Sequence, residues 1–130
     1  MREHEFRGMD KLGKWHYGDL IHMSDSTMSI RDIADDTYVV DPESVGEYTG
    51  HTDTRGVRVY EGDIMFTPSK FAHSQTGVVV YEPNKSALLV KMVTTNDNPF
   101  PWKSIPAFTG EVVGNVYENS KMIEMGEEYE

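Results

Sequence analysis

Glu61-Gly62-Asp63 sets two carboxylates on one tight turn, and Asp53 stands upstream in the loop 49–56. Clustered carboxylate oxygens are the ligands that Mg²⁺ and Ca²⁺ take, and a bound cation can activate water for hydrolysis. Asp53, Glu61 and Asp63 therefore define one chemical reading, a metal-assisted hydrolase. The spacing matches no calcium-loop pattern. Aspartate at a chain reversal also hydrogen-bonds the turn backbone, which gives the second reading. On that reading Thr49, Gly50, Asp53, Gly56, Glu61, Gly62 and Asp63 are turn residues that shape the fold.

Other chemistry is thinly represented. The five histidines, His4, His16, His22, His51 and His73, show no H-x₃₋₅-H or H-E-x-x-H spacing, so they are expected on surfaces and in loops. No serine stands in G-x-S-x-G, and no phosphate-binding or dinucleotide-binding glycine pattern occurs. The chain has no cysteine, which removes disulfides, thiol nucleophiles and thiolate metal ligands. No catalytic residue and no cofactor are assigned.

The segment 98–106, Asn-Pro-Phe-Pro-Trp-Lys-Ser-Ile-Pro, is unusual in another way. Three prolines hold it extended, and Phe100, Trp102 and Ile105 give it large apolar surface. Such a loop can fold back as a lid over a barrel end, meet a subunit or partner, or stack on a small ligand. The three readings stay open.

The elements that must position these residues are short strands. Phe6–Met9 and 14–17 flank Asp10-Lys11-Leu12-Gly13, a hairpin signal. The stretch 18–26 reads as polar loop, Met28 and Ile30 as a strand, and 37–40 as another. Asp41-Pro42-Glu43-Ser44 has a capping side chain, a proline suited to the first helical position and an acid at the positive end of the dipole, a helix start that Gly46 halts within a turn. Val57/Val59, Ile64/Phe66, Val78/Val80, Leu88/Val90/Met92 and Val112/Gly114/Val116 then form five period-2 sets. Residues 120–125 read as a turn of helix and 126–130 as a frayed tail. The pattern predicts a mostly β protein with little helix: a small, partly open β-barrel or strongly bent sheet, preceded by an N-terminal hairpin region. One domain spans 1–130, with a hairpin and acidic segment over 1–48, the barrel core over 49–119 and an acidic tail over 120–130.

Charge narrows the partners. The net charge is −10, and residues 19–63 carry eleven acids against three bases. Phosphate backbones are held by clustered Lys and Arg, so direct nucleic-acid binding is not expected. An acidic face for a basic partner, or imitation of DNA charge, fits better. No apolar run reaches the roughly 20 residues of a membrane span. No apolar segment follows the first five residues, so no secretory signal is expected and a cytoplasmic location is.

Phe6-Arg7 with Met9-Asp10, Val39-Val40-Asp41-Pro42-Glu43, Tyr48-Thr49-Gly50, Val59-Tyr60-Glu61-Gly62-Asp63-Ile64, Gly77-Val78-Val79 and Glu111-Val112-Val113-Gly114-Asn115-Val116-Tyr117-Glu118-Asn119 together resemble the YopX family of phage and prophage proteins. The resemblance covers nearly the whole chain. It implies a β-rich fold with a small barrel of the Src-homology type, a tendency to self-associate, and a bacterial host. It brings no catalytic residues. The expected function is a non-enzymatic, homo-oligomeric interaction protein with an acidic face. The alternatives are the hydrolase through Asp53, Glu61 and Asp63, and an inhibitor that mimics DNA.

Overall fold

The computed structural model describes residues 5–68, 75–93 and 102–119. Among these residues the strands are β1 (Phe6–Met9), β2 (Trp15–His22), β3 (Met28–Arg31), β4 (Thr37–Val40), β5 (Gly46–Thr52), β6 (Arg58–Tyr60), β7 (Asp63–Thr67), β8 (Gln75–Glu82), β9 (Ala87–Met92), β10 (Trp102–Lys103) and β11 (Glu111–Asn115). Helix is confined, among the described residues, to a 3-10 turn at Pro42–Ser44. The Asp41 side chain caps that turn through the Glu43 N–H. The mostly β expectation holds, with antiparallel sheets and no closed barrel among the described residues. The chain divides into two compact units, Met1–Gly50 and His51–Glu130.

In the first unit the strands run in the order β4-β3-β2-β1-β5. β2 serves two partners in succession. Its first half pairs with β1, from Met9↔Trp15 to Phe6↔Gly18, and its second half pairs with β3, from Asp19↔Arg31 to His22↔Met28. The changeover falls at Gly18, whose φ of 153° lies where other residues are strained. A Cβ there would collide with the Arg31 carbonyl. The stretch 18–26 is thus strand as far as His22 rather than loop. Leu20 and Ile21 find partners in Ile30 and Ser29, and that pairing outweighs their polar surroundings. The sheet bends enough for the Asp41 N–H, just past β4, to donate to the Met9 carbonyl at the end of β1, 2.9 Å away.

The second unit holds a five-stranded sheet in the order β10-β9-β8-β7-β11. Its pairing is regular except for a bulge between Val112 and Gly114 on β11. The alternation in the sequence explains the core: Val59, Met65, Val79, Val90, Met92, Ile105 and Phe108 pack together, with Leu88 and Val112 against them. Interior hydrocarbon of this kind contributes roughly 25 cal/mol per Å² removed from water.

One turn design recurs at three chain reversals. At 10–14, 32–36 and 53–57 an aspartate opens the turn, and its Oδ1 accepts the N–H groups two and four residues ahead. Asp10 takes Leu12 at 2.9 Å and Lys14 at 3.0 Å. Asp32 takes Ala34 and Asp36, both at 3.0 Å. Asp53 takes Arg55 at 2.8 Å and Val57 at 2.9 Å. In each turn the fourth residue donates to the aspartate's own carbonyl and has positive φ: Gly13 at 85°, Asp35 at 68° and Gly56 at 82°. This is a type I turn closed by a left-handed residue, one of the common hairpin connections.

Replacing Gly18 with Ala should lower unfolding free energy by about 3 kcal/mol, combining backbone strain with a backbone clash. Gly13→Ala, where no atom approaches the added methyl group within 4 Å, should cost about 1 kcal/mol through strain alone. Urea unfolding of the two variants checks the ranking; equal losses would contradict it.

Candidate functional site

Two of the three carboxylates singled out by sequence, Asp53 and Asp63, are built into backbone. Asp53 follows β5, and its side chain is fully buried. Beyond the two N–H groups on Oδ1, its Oδ2 accepts the Val112 N–H at 2.9 Å. The turn is thereby fastened to β11, which with β10 forms the two edges of the second unit's sheet. Arg55 completes the clamp, donating to the Val112 carbonyl at 2.7 Å and lying 3.8 Å from Glu111. The Thr54 N–H donates to the Gly110 carbonyl at 3.2 Å. An edge strand's exposed hydrogen-bonding groups invite pairing with other chains, and here this turn occupies several of them.

Burial alone would raise the Asp53 carboxyl. The N–H groups of Val112, Val57 and Arg55, together with the Arg55 charge, outweigh that and hold it below the ordinary 3.8. Asp63, also buried, accepts the Tyr60 N–H at 2.7 Å across the Glu61-Gly62 turn. Gly62 has φ 94° and donates to the Val79 carbonyl at 2.7 Å. Thr49 and Gly50 sit inside β5 rather than at a reversal, with Gly50 at φ 88°. Among the described residues no three His, Cys, Asp or Glu side chains group so as to hold a metal ion.

Of the three residues weighed as a partner contact, Ile105 is core, 5% exposed beside Phe108. Trp102 is half-buried on β10, opposite Lys91, whose Nζ lies 5.6 Å from the ring centre. Phe100 lies outside the described residues, as do 120–130.

Sequence reasoning missed a polar cluster in the first unit. His16 was expected on the surface, yet it is buried on β2. Its Nε2 is 2.7 Å from Asp10 Oδ2, and its ring stacks on Tyr38 at 3.7 Å between centres. The hydrogen bond from His16, then those from the Lys14 and Leu12 backbone, hold the Asp10 carboxyl below its usual range. The signal was in the alternation of β2: Trp15 and Tyr17 share one face, so His16 faces the opposite side. On the Trp15 and Tyr17 side of the strand pair, Arg7, which is opposite Tyr17 on β1, is buried with its guanidinium 4.8 Å from the Trp15 ring.

The first unit also has an open groove of about 510 Å³ beside the β3–β4 turn, where Tyr17, Gly18, Asp19, Arg31 and Ile33 meet. Ile33 is wholly exposed at the tip of the turn. Arg31, the only base between residues 19 and 50 against eight acids, lies 3.7 Å from both Asp19 and Asp35.

A family model for the YopX protein matches residues 5–124. The chain belongs to the YopX family. No curated protein matches it. The matched span takes in all three aspartate-headed turns of this YopX chain, the His16 cluster and the groove. No helix among the described residues is long and apolar enough to cross a membrane.

Two outcomes follow for the turns of the YopX chain. Asp53→Asn turns one of two used oxygens into a donor facing the Val112 N–H, and should cost about 2 kcal/mol. Asp32→Asn keeps the Oδ1 acceptor for its turn and should stay within about 0.5 kcal/mol of the parent. Acid should also weaken the fold. The Asp10, Asp25 and Asp53 carboxyls all sit below 3.8 when folded. Their contribution is complete above the unfolded value and is lost as pH falls through the folded ones. Urea midpoints taken downward from about pH 5 check this, and a flat profile would contradict it.

Proposed function

We propose that this YopX-family chain is a non-enzymatic, homo-oligomeric interaction protein of a phage or prophage. It acts in the bacterial cytoplasm by offering an acidic face to a basic protein. The observation that carries this reading is the charge of the first unit. Eight acids stand between residues 19 and 50, and Arg31 is their lone basic counterpart, already flanked by Asp19 and Asp35. Asp19, Asp25, Asp35, Asp36 and Glu43 are exposed, so the excess negative charge faces solvent. Such a surface steers and holds a cationic partner and repels nucleic acid.

Self-association is supported by exposed apolar residues on strands, Val39 and Tyr81 among them, and by strands left at sheet margins, β4 and β10. We read the second unit's sheet as a partly open barrel of the Src-homology type. The bulged β11 and the consecutive pairing of β7, β8 and β9 support that reading. The use of Asp53 and Asp63 as backbone acceptors favours binding over a hydrolase built on them.

Light scattering over a dilution series should give a mass that is a multiple of the chain's 14.8 kDa. A mass fixed at one chain would remove the oligomer. A cationic protein titrated into the YopX chain should bind at low salt and release as salt rises. Binding indifferent to salt would remove the acidic face.

A further inference from the structure

We propose that the groove beside the β3–β4 turn is the seat for a basic, partly apolar segment of a partner protein. Its cationic side chain would lie along the Tyr17 ring between Asp19 and Asp32, with a neighbouring aliphatic side chain against Ile33. The proposal rests on the acidic-face reading and gives it a place.

The turn's construction does not account for Ile33. Asp32 supplies the acceptors that close the turn, and its second residue has no structural duty. Small polar residues are usual at such a tip. Ile33 is instead 104% exposed, a large aliphatic side chain with no contact that shields it from water. The groove runs directly beside it. Gly18, which is glycine because the bend of β2 forbids a side chain, leaves the floor low. Tyr17, 45% exposed, gives the groove an aromatic wall. Hydrocarbon and aromatic surface ask for an occupant with a carbon stem.

Charge decides which occupant. Glu5, Asp19 and Asp32 line the groove against Arg31 alone. Arg31 meets Asp19 and Asp35 only at 3.7 Å, across exposed side chains, an arrangement that contributes little and yields readily to a better-placed cation. An arriving guanidinium can take the Asp19 carboxylate in a forked pair and stack on Tyr17. A second copy meeting the groove through this same face would bring its own acidic turn against it. An anionic headgroup or a nucleic acid would meet repulsion. A basic protein segment satisfies both requirements.

The test uses the full chain and a fluorescent peptide of alternating arginine and leucine, followed by anisotropy at low salt. Ile33→Ser and Asp19→Asn, both at exposed positions, should each weaken binding by about tenfold. Glu43→Gln, which removes an exposed acid outside the groove, should change it by less than about twofold. Melting curves confirm that the variants fold. Equal losses for all three would overturn the groove while leaving a diffuse acidic face standing. Failure of the parent chain to bind at all would overturn the groove and the acidic face together. A peptide with glutamate in place of arginine that bound as tightly would overturn the groove.

Discussion

The carboxylate of an aspartate accepting backbone N–H groups at the start of a hairpin turn is the interaction on which the rest of this molecule depends. A hairpin's register is set by its turn, and a slip of one residue sends every side chain to the wrong face. Asp10, Asp32 and Asp53 each fix such a turn with the same pair of hydrogen bonds. Asp53 does more, because its other oxygen reaches across the sequence to Val112 and ties a local turn to a distant strand. Neutral hydrogen bonds contribute about 1 kcal/mol each and those to a charge more, so three on one buried carboxylate are substantial for a domain of this size.

The two units meet the need for an interior differently. The second buries a hydrocarbon cluster from Val59 to Phe108. The first buries Met9, Ile30, Val40 and Tyr48 but also Arg7, His16, Ser29 and Ser44. Polar groups taken from water must be partnered, and these have specific arrangements: Ser44 accepts the Met9 N–H, and His16 is bound to Asp10 and stacked on Tyr38. The β1–β2 turn thus joins the interior through its own capping aspartate.

Much of this was readable in the residues. Alternating Val, Ile, Leu and Met after Gly56 foretold the strands and the core they share, because period-2 hydrophobicity has few other solutions. Asp-x-x-Gly at 10–13 and 53–56 announced two turns. The third was hidden because Asp35 takes the left-handed position that glycine usually fills. β2 beyond Gly18 was illegible for a related reason. A polar stretch with a glycine looks like loop until β3 supplies its partner, and that pairing is not a local property. For the proline-rich aromatic segment the residues left inward and outward readings open, and only tertiary packing, which no local pattern encodes, puts Ile105 in the core. Of the candidate surface, the charge excess was visible from composition; the groove and the exposure of Ile33 were not, since the groove needs β2 and β3 brought together and Ile33 is at the tip of the turn that escaped the sequence reading.

Acidity in this YopX-family protein therefore has two origins that can be separated. Some carboxylates face inward to backbone and make the fold, and others face solvent and set the field that a partner meets. Asp53 is where the division is sharpest, because burial and backbone donors push its proton affinity in opposite directions. A carboxyl-carbon NMR titration of Asp53 reads the winner directly. A midpoint below the ordinary 3.8 is the result this account predicts. A midpoint above it would mean that the turn does not hold its carboxylate, and would contradict the account.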